Sequence, residues 1–136
     1  MRKSLAFALV INDVLFLLYW TAAGLDLAGV VDIPHTWMYA GHDQPRVVAW
    51  NWSFLPVDLA FSLTGLCAVR AARRGDPAWR PLALTSLVLT MVAGAMAVSY
   101  WLLLGEFDPA WFLPNLALVL WPLRFLPGVI AETARK

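Results

Sequence analysis

Cysteine is almost absent from this 136-residue chain. Cys67 stands alone, which excludes an intrachain disulfide and any cysteine-based zinc site. Histidine is nearly as scarce. His35 and His42 lie near Asp43, but no HxxxH or similar helical spacing is present, so no metal site is expected. Charge is short as well: 14% of residues are charged and the formal net charge is +1. That balance offers no counterpart for a nucleic acid or an acidic substrate, and nothing in the pattern calls for a cofactor.

What fills the space is apolar. Hydrophobic residues make up 61% of the chain, eight residues are Trp, and the mean hydropathy is +0.68. A soluble domain is nearer half apolar and about a quarter charged, so the excess has to face lipid. Four runs approach the roughly 20 residues that a helix needs to cross a bilayer. They cover about 4–24, 53–69, 81–104 and 112–130. The sequence therefore predicts an all-α, polytopic membrane protein, a single four-transmembrane-helix bundle over 1–136, with the lipid bilayer as its first partner. Arg2 and Lys3 resemble the charged start of a signal peptide, but the run behind them is long and carries Asn12 and Asp13 at its middle. It reads as a retained span.

Cations set the orientation. Arg2 and Lys3 precede the first run, Arg70, Arg73, Arg74 and Arg80 join the second and third, and Arg135 and Lys136 close the chain. The other two loops hold only Arg46. This bias predicts a multi-pass protein with both termini in the cytoplasm; eight Arg against two Lys suggest a GC-rich bacterial genome, and hence a bacterial cytoplasmic (inner) membrane. The outer loop from Leu25 to Ala49 is then anchored at the headgroups by Trp37 and Tyr39.

Helix starts are legible. Asp76 with Pro77 and Asp108 with Pro109 each give a capping carboxylate followed by a proline preset for the first helical position. Ser53 is a third candidate cap, with Pro56 in the first turn; the competing reading starts that helix near Pro45 and kinks it at Pro56. Pro114, Pro122 and Pro127 are expected to bend the fourth span.

Polar residues inside these runs mark the candidate site. At about 100° per residue, Asn51, Asp58, Ser62 and Gly65 share one stripe of the second span. On the third, Ser86, Thr90, Ala93, Ala97 and Tyr100 form a small-residue seam that Gly94 widens. The depths of these groups predict an outer polar layer of Tyr19, Asp58, Tyr100 and Asn115 roofed by Trp20, Trp52, Trp101 and Trp111, with Asp13 deeper. A carboxylate inside a span is costly, by about 2.5–3.5 kcal/mol at a helix centre on insertion scales, and so needs a partner or a purpose. Asp58 and Asp13 are the candidate catalytic residues. Asn51, Tyr19, Trp20, Tyr100, Trp101, Trp111 and Asn115 are the candidate ligand-binding ones. Arg124 either neutralises Asp13 or snorkels to the headgroups; nine residues from Asn115, it falls on the opposite face of a straight helix.

The residues from Ala49 to Asp58, with Asp13, Tyr19 and Trp20 upstream and Asp108, Trp111, Pro114 and Asn115 downstream, resemble the YvaD-like family of small bacterial four-helix membrane proteins. The likeness covers nearly the whole chain outside the loop from Leu25 to Arg46. The resemblance implies the fold and topology; it supplies no catalytic residue.

Three functions fit these residues. A membrane enzyme or binding protein for an isoprenoid-like or sterol-like molecule would use a carboxylic acid in a dry pocket as proton donor, with indole and phenol faces stabilising a cation. A structural or partner subunit would use the polar stripes as helix glue. A proton-coupled exporter would use Asp13 and would need a homo-oligomer, because four helices rarely enclose a whole pathway.

Overall fold

The computed structural model describes residues 1–134, apart from the His35 side chain. Arg135 and Lys136, which belong to the cation pattern, lie outside the described residues. The described chain is helical, with no strand. In order come α1 (Lys3–Leu27), α2 (Pro45–Trp52), α3 (Leu55–Arg73), α4 (Trp79–Leu104), α5 (Pro109–Leu123) and α6 (Leu126–Ala134), with a short 3-10 turn at His35–Trp37. Four helical segments are long and apolar enough to cross a membrane: Lys3–Leu27, Pro45–Arg73, Trp79–Leu104 and Pro109–Ala134.

Of the two Asp-Pro starts, Asp108 caps α5 as expected: its Oδ1 accepts from the Ala110 amide at 2.9 Å and satisfies a backbone donor that the first helical turn leaves unpaired. Asp76 Oδ1 makes the same kind of bond to the Ala78 amide at 2.9 Å, but it closes a turn ahead of the helix, and the residue at the N-cap of α4 is Ala78. At the far end of α4, Gly105 adopts φ 69°, the left-handed turn that lets the Glu106 amide reach back to the Trp101 carbonyl.

Ser53 is not a forward cap. Its hydroxyl bonds back to the Trp50 carbonyl at 2.6 Å, closing α2, and α3 starts afresh at Leu55 with Pro56 in its first turn. The second span therefore begins at Pro45 and breaks at Ser53 and Phe54, close to the competing reading. The fourth span breaks too. Arg124 and Phe125 make tightened i→i−3 bonds to Trp121 and Pro122, ahead of Pro127, whose ring disfavours helical geometry at the residue before it.

Packing is an open arc. α1 lies on α3, α3 on α4, and α4 on both α5 and α6, while α1 and α5 do not pack closely along their length. On α4 the small-residue seam is buried: Ser86, Thr90, Ala93, Gly94 and Ala97 all face neighbours. Among the described residues there are three apolar cores, a small one of Tyr39, Val47 and Trp101 and two larger. One, near the termini, joins Leu5, Leu9, Ala68, Ala83, Leu87 and Val129; the other joins Trp20, Phe54, Phe61, Ala93 and Ala97. Between them lies a polar layer of Asp13, Ser62, Ser86 and Thr90, each 0% exposed.

Candidate functional site

The gap left by the open arc is a cleft of about 760 Å³ between α1 and the α5–α6 arm. Its α1 wall is the stripe Phe7, Ile11 and Leu15, one helical turn apart, and its α5 wall carries Trp111, Pro114, Leu118 and Trp121. Almost all of this lining is apolar. The polar groups gather towards the end that carries α2, where Tyr19, Asn51, Asp58 and Asn115 line it.

Two adjacent residues of α1 hold that end together. The Tyr19 hydroxyl donates to Asn51 Oδ1 on α2 at 3.2 Å, and the Trp20 indole N–H donates to Asp58 Oδ2 on α3 at 2.9 Å. The other carboxyl oxygen, Asp58 Oδ1, is buried without a hydrogen-bond partner. Asp58 thus has one oxygen pinned and one unengaged, in a side chain that lines the cleft.

Aromatic rings brace this arrangement. Trp52 lies against Trp20 with centroids 5.3 Å apart, and Trp111 meets Tyr19 at 6.3 Å and Tyr39 at 5.7 Å. Tyr39 reaches in from the loop, and burial raises the pKa of its phenol, so it stays neutral. The loop between α1 and α2 therefore covers the cleft end instead of only resting at a headgroup layer. Trp37 of the same loop is exposed.

Seven of the nine site residues read from the sequence line one surface: Asn51, Asp58, Tyr19, Trp20, Trp101, Trp111 and Asn115. Tyr100 does not. It stacks flat on Trp50 with centroids 3.9 Å apart and rings 18° from parallel, behind the cleft wall. Its neighbour Trp101, a 100° step round α4, takes the lining place. Asp13 does not line the cleft either. It turns into the polar layer, where Asn12 Nδ2 donates to Oδ1 at 3.1 Å and Oδ2 has no partner. Gly65 makes room there: a Cβ on Gly65 would overlap Asp13 Oδ2 and lie 2.8 Å from Ser86 Oγ. Asn115 has already spent one amide hydrogen on the Trp111 carbonyl at 2.7 Å.

Several lining residues escape the sequence pattern. Trp50 and Phe54 flank the break in the second span, and Asn12, Phe16 and Trp121 line the cleft alongside them. Only their position within apolar runs marks Phe54, Phe16 and Trp121, and that is shared with residues that face away; Asn12 stands out by its polarity inside the first run, and Trp50 lies just ahead of the second. Arg124 also lines the cleft, at its other end. It makes no ion pair with Asp13 among the described residues, so the Asp13 carboxyl is not neutralised in that way. No group of three or more His, Cys, Asp or Glu side chains suited to a metal occurs among the described residues.

Fold and cleft together define a small helical protein with four segments long and apolar enough to cross a membrane, a mostly apolar cleft and one partly engaged acid in its wall. The chain belongs to a family of unknown function, DUF5360, which it matches over residues 5–136. It is similar to the uncharacterized protein YvaD of Bacillus subtilis (strain 168), with 41% identity over 126 residues, covering 93% of this chain and 91% of that one. No solved structure matches it significantly.

Proposed function

We propose that the protein lies in a bacterial cytoplasmic membrane with both termini in the cytoplasm, and that its cleft binds a lipophilic, isoprenoid-like or sterol-like small molecule on which Asp58 acts as an acid. The observation that carries this reading is the Asp58 carboxyl, held at Oδ2 by Trp20 and buried without a partner at Oδ1, in the wall of a mostly apolar space. The volume of about 760 Å³ falls within the roughly 300–1,000 Å³ of small-molecule sites. The side opening between α1 and α5 admits a ligand from lipid without crossing water.

The chemistry is proton donation from Asp58 to an alkene carbon, for which the side chain turns its buried Oδ1 towards the cleft. The alkene's π electrons form the new C–H bond, the O–H electron pair stays on Asp58, and the Trp20 N–H stabilises the resulting carboxylate. The carbocation is stabilised by the aromatic faces of the wall. Loss of a neighbouring proton to the same carboxylate regenerates the acid and gives an isomerised alkene. Asp13, closed off in the polar layer, has no access to the cleft, which weighs against the exporter.

Native mass spectrometry of the gently extracted protein is the direct test: a retained lipophilic molecule is expected, and its turnover is expected to vanish in Asp58→Asn while the fold persists. Protein that carries nothing and binds no isoprenoid or sterol probe, or Asp58→Asn protein with full activity, would refute the corresponding half.

A further inference from the structure

The end of the cleft opposite Asp58 is cationic. Arg124 and Phe125 line both the cleft and a second space of about 110 Å³, which Arg2, Trp79 and Glu132 also line. Arg124 and Phe125 are thus common to both linings. Arg2, Arg124 and Glu132 make no ion pair with one another among the described residues, so two guanidinium groups and one carboxylate leave one positive charge uncompensated. Arg124 stands at the break between α5 and α6, with the nine residues of α6, about 14 Å of helix, still to follow. Both guanidinium side chains are exposed, so each is open to an anionic group as well as to the headgroup layer.

Shape adds a second constraint. On α1 the lining runs from Phe7 to Trp20, a rise of about 20 Å at 1.5 Å per residue. A space of that length and about 760 Å³ is a trough, which suits a chain better than a compact ring system. Apolar walls with a cation at one end complement a single-chain amphiphile with an anionic head.

We infer that the cleft takes a prenyl-type chain bearing a phosphate, with the phosphate at Arg124 and Arg2 and the chain running along Phe7, Ile11 and Leu15 towards Asp58. This rests on the lipophilic-ligand reading above and narrows its substrate class. Arg124 is here a binding residue that anchors the head; the bonds that change are at the far end of the chain. Guanidinium recognises phosphate through paired, charge-assisted hydrogen bonds, and the Arg2 side chain approaches from the start of α1.

The test compares farnesyl phosphate, farnesol and inorganic phosphate on the full chain in detergent, followed by the fluorescence of the cleft tryptophans. Wild-type protein is expected to bind farnesyl phosphate about tenfold more tightly than farnesol, the scale of one charge-assisted hydrogen bond. Arg124→Gln should erase that difference. Salt should weaken farnesyl phosphate binding to the wild type and spare farnesol, which keeps the test decisive if the variant fails to fold. Equal binding of the two by the wild type, or an Arg124→Gln protein that still discriminates, overturns the anchor while leaving the cleft reading intact. Failure of both prenyl probes to bind overturns the cleft reading itself. Inorganic phosphate that displaces farnesyl phosphate with comparable affinity would make the site one for free phosphate and overturn the lipid assignment.

Discussion

Replacing Gly94 by alanine probes the contact that holds the α5 wall of the cleft in place. A Cβ at Gly94 would lie 2.7 Å from the Asn115 carbonyl oxygen and 2.7 Å from Leu118 Cβ, with Val119 Cγ2 at 3.2 Å. Ordinary contacts between carbon atoms fall at about 3.5–4.0 Å, so α5 must retreat by about 0.8 Å or more. The first two atoms belong to the backbone and to the root of a side chain, and no change of rotamer moves them. A gap of about 0.5–1 Å forfeits a quarter to a half of each dispersion well along the seam, and overpacked cores lose about 1–3 kcal/mol. Against this, alanine is the better helix former by about 0.8–1 kcal/mol. The overlap wins, and a net loss of about 1–2 kcal/mol is expected.

Unfolding in detergent by denaturant, followed by tryptophan fluorescence, measures it. Gly24→Ala is the matched control, because a Cβ there meets nothing within 4 Å, and it should be neutral or stabilising by up to about 1 kcal/mol. Gly94→Ala protein as stable as Gly24→Ala protein would refute the close approach of α4 and α5. The cleft between α1 and α5 would then have to be redrawn.

Three further outcomes are expected. Gly65→Ala should cost about 1–3 kcal/mol by overpacking against Asp13, and Asp13→Ala in the same chain should recover at least about 0.5 kcal/mol of it; purely additive losses in a double-mutant cycle would show that the two do not touch. Trp20→Phe should destabilise by about 1–3 kcal/mol by removing the indole donor that, among the described residues, is the only one to the Asp58 side chain, and unchanged unfolding would show that the indole bond is absent. For orientation, Ala40→Cys and Ala78→Cys, each in a Cys67→Ser chain, should label from opposite faces of the membrane; labelling from one face would overturn the topology.

Helices and their starts were readable because each depends on a few adjacent residues. An apolar run of 20 residues or an Asp-Pro pair carries its meaning locally. The break at Ser53 was less readable, since a serine hydroxyl serves equally as a forward cap or as a backward bond to a carbonyl. Once α2 and α3 are separate helices, the 100° phase that placed Asn51 in line with Asp58, Ser62 and Gly65 no longer applies. Asn51 still reaches the cleft, by way of the turn. Asp58 lines it, while Ser62 and Gly65 are buried elsewhere. The same failure of phase explains Arg124: nine residues put it opposite Asn115 on a straight helix, yet both line the cleft, with the helix ending at Leu123 and turning before α6. Tyr100 and Trp101 were separable only by knowing which neighbour α4 faces, and helix order around a bundle is not encoded in any one helix.

That order is also what makes a cleft out of the spans. In water an unpartnered stripe such as Phe7, Ile11 and Leu15 would be driven onto α5. In lipid there is no such drive, because acyl chains are as apolar as the side chains. Helices in that setting close where small residues or polar groups give them a reason. α3 and α4 have the Ser86, Thr90, Ala93 and Ala97 seam, α4 and α5 have Gly94, and α1 joins α3 through Asp58 and Gly65. Nothing comparable joins α1 to α5: apart from Asn12, the residues that line the cleft there are apolar until Tyr19, Asn51, Asp58 and Asn115 at one end and Arg124 at the other. Small residues and polar groups hold three sides shut, and the lack of such a contact on the fourth leaves an opening whose two ends are chemically unlike. A molecule lying in it would meet an acid at one end and a cation at the other, which fixes the direction in which a chain enters.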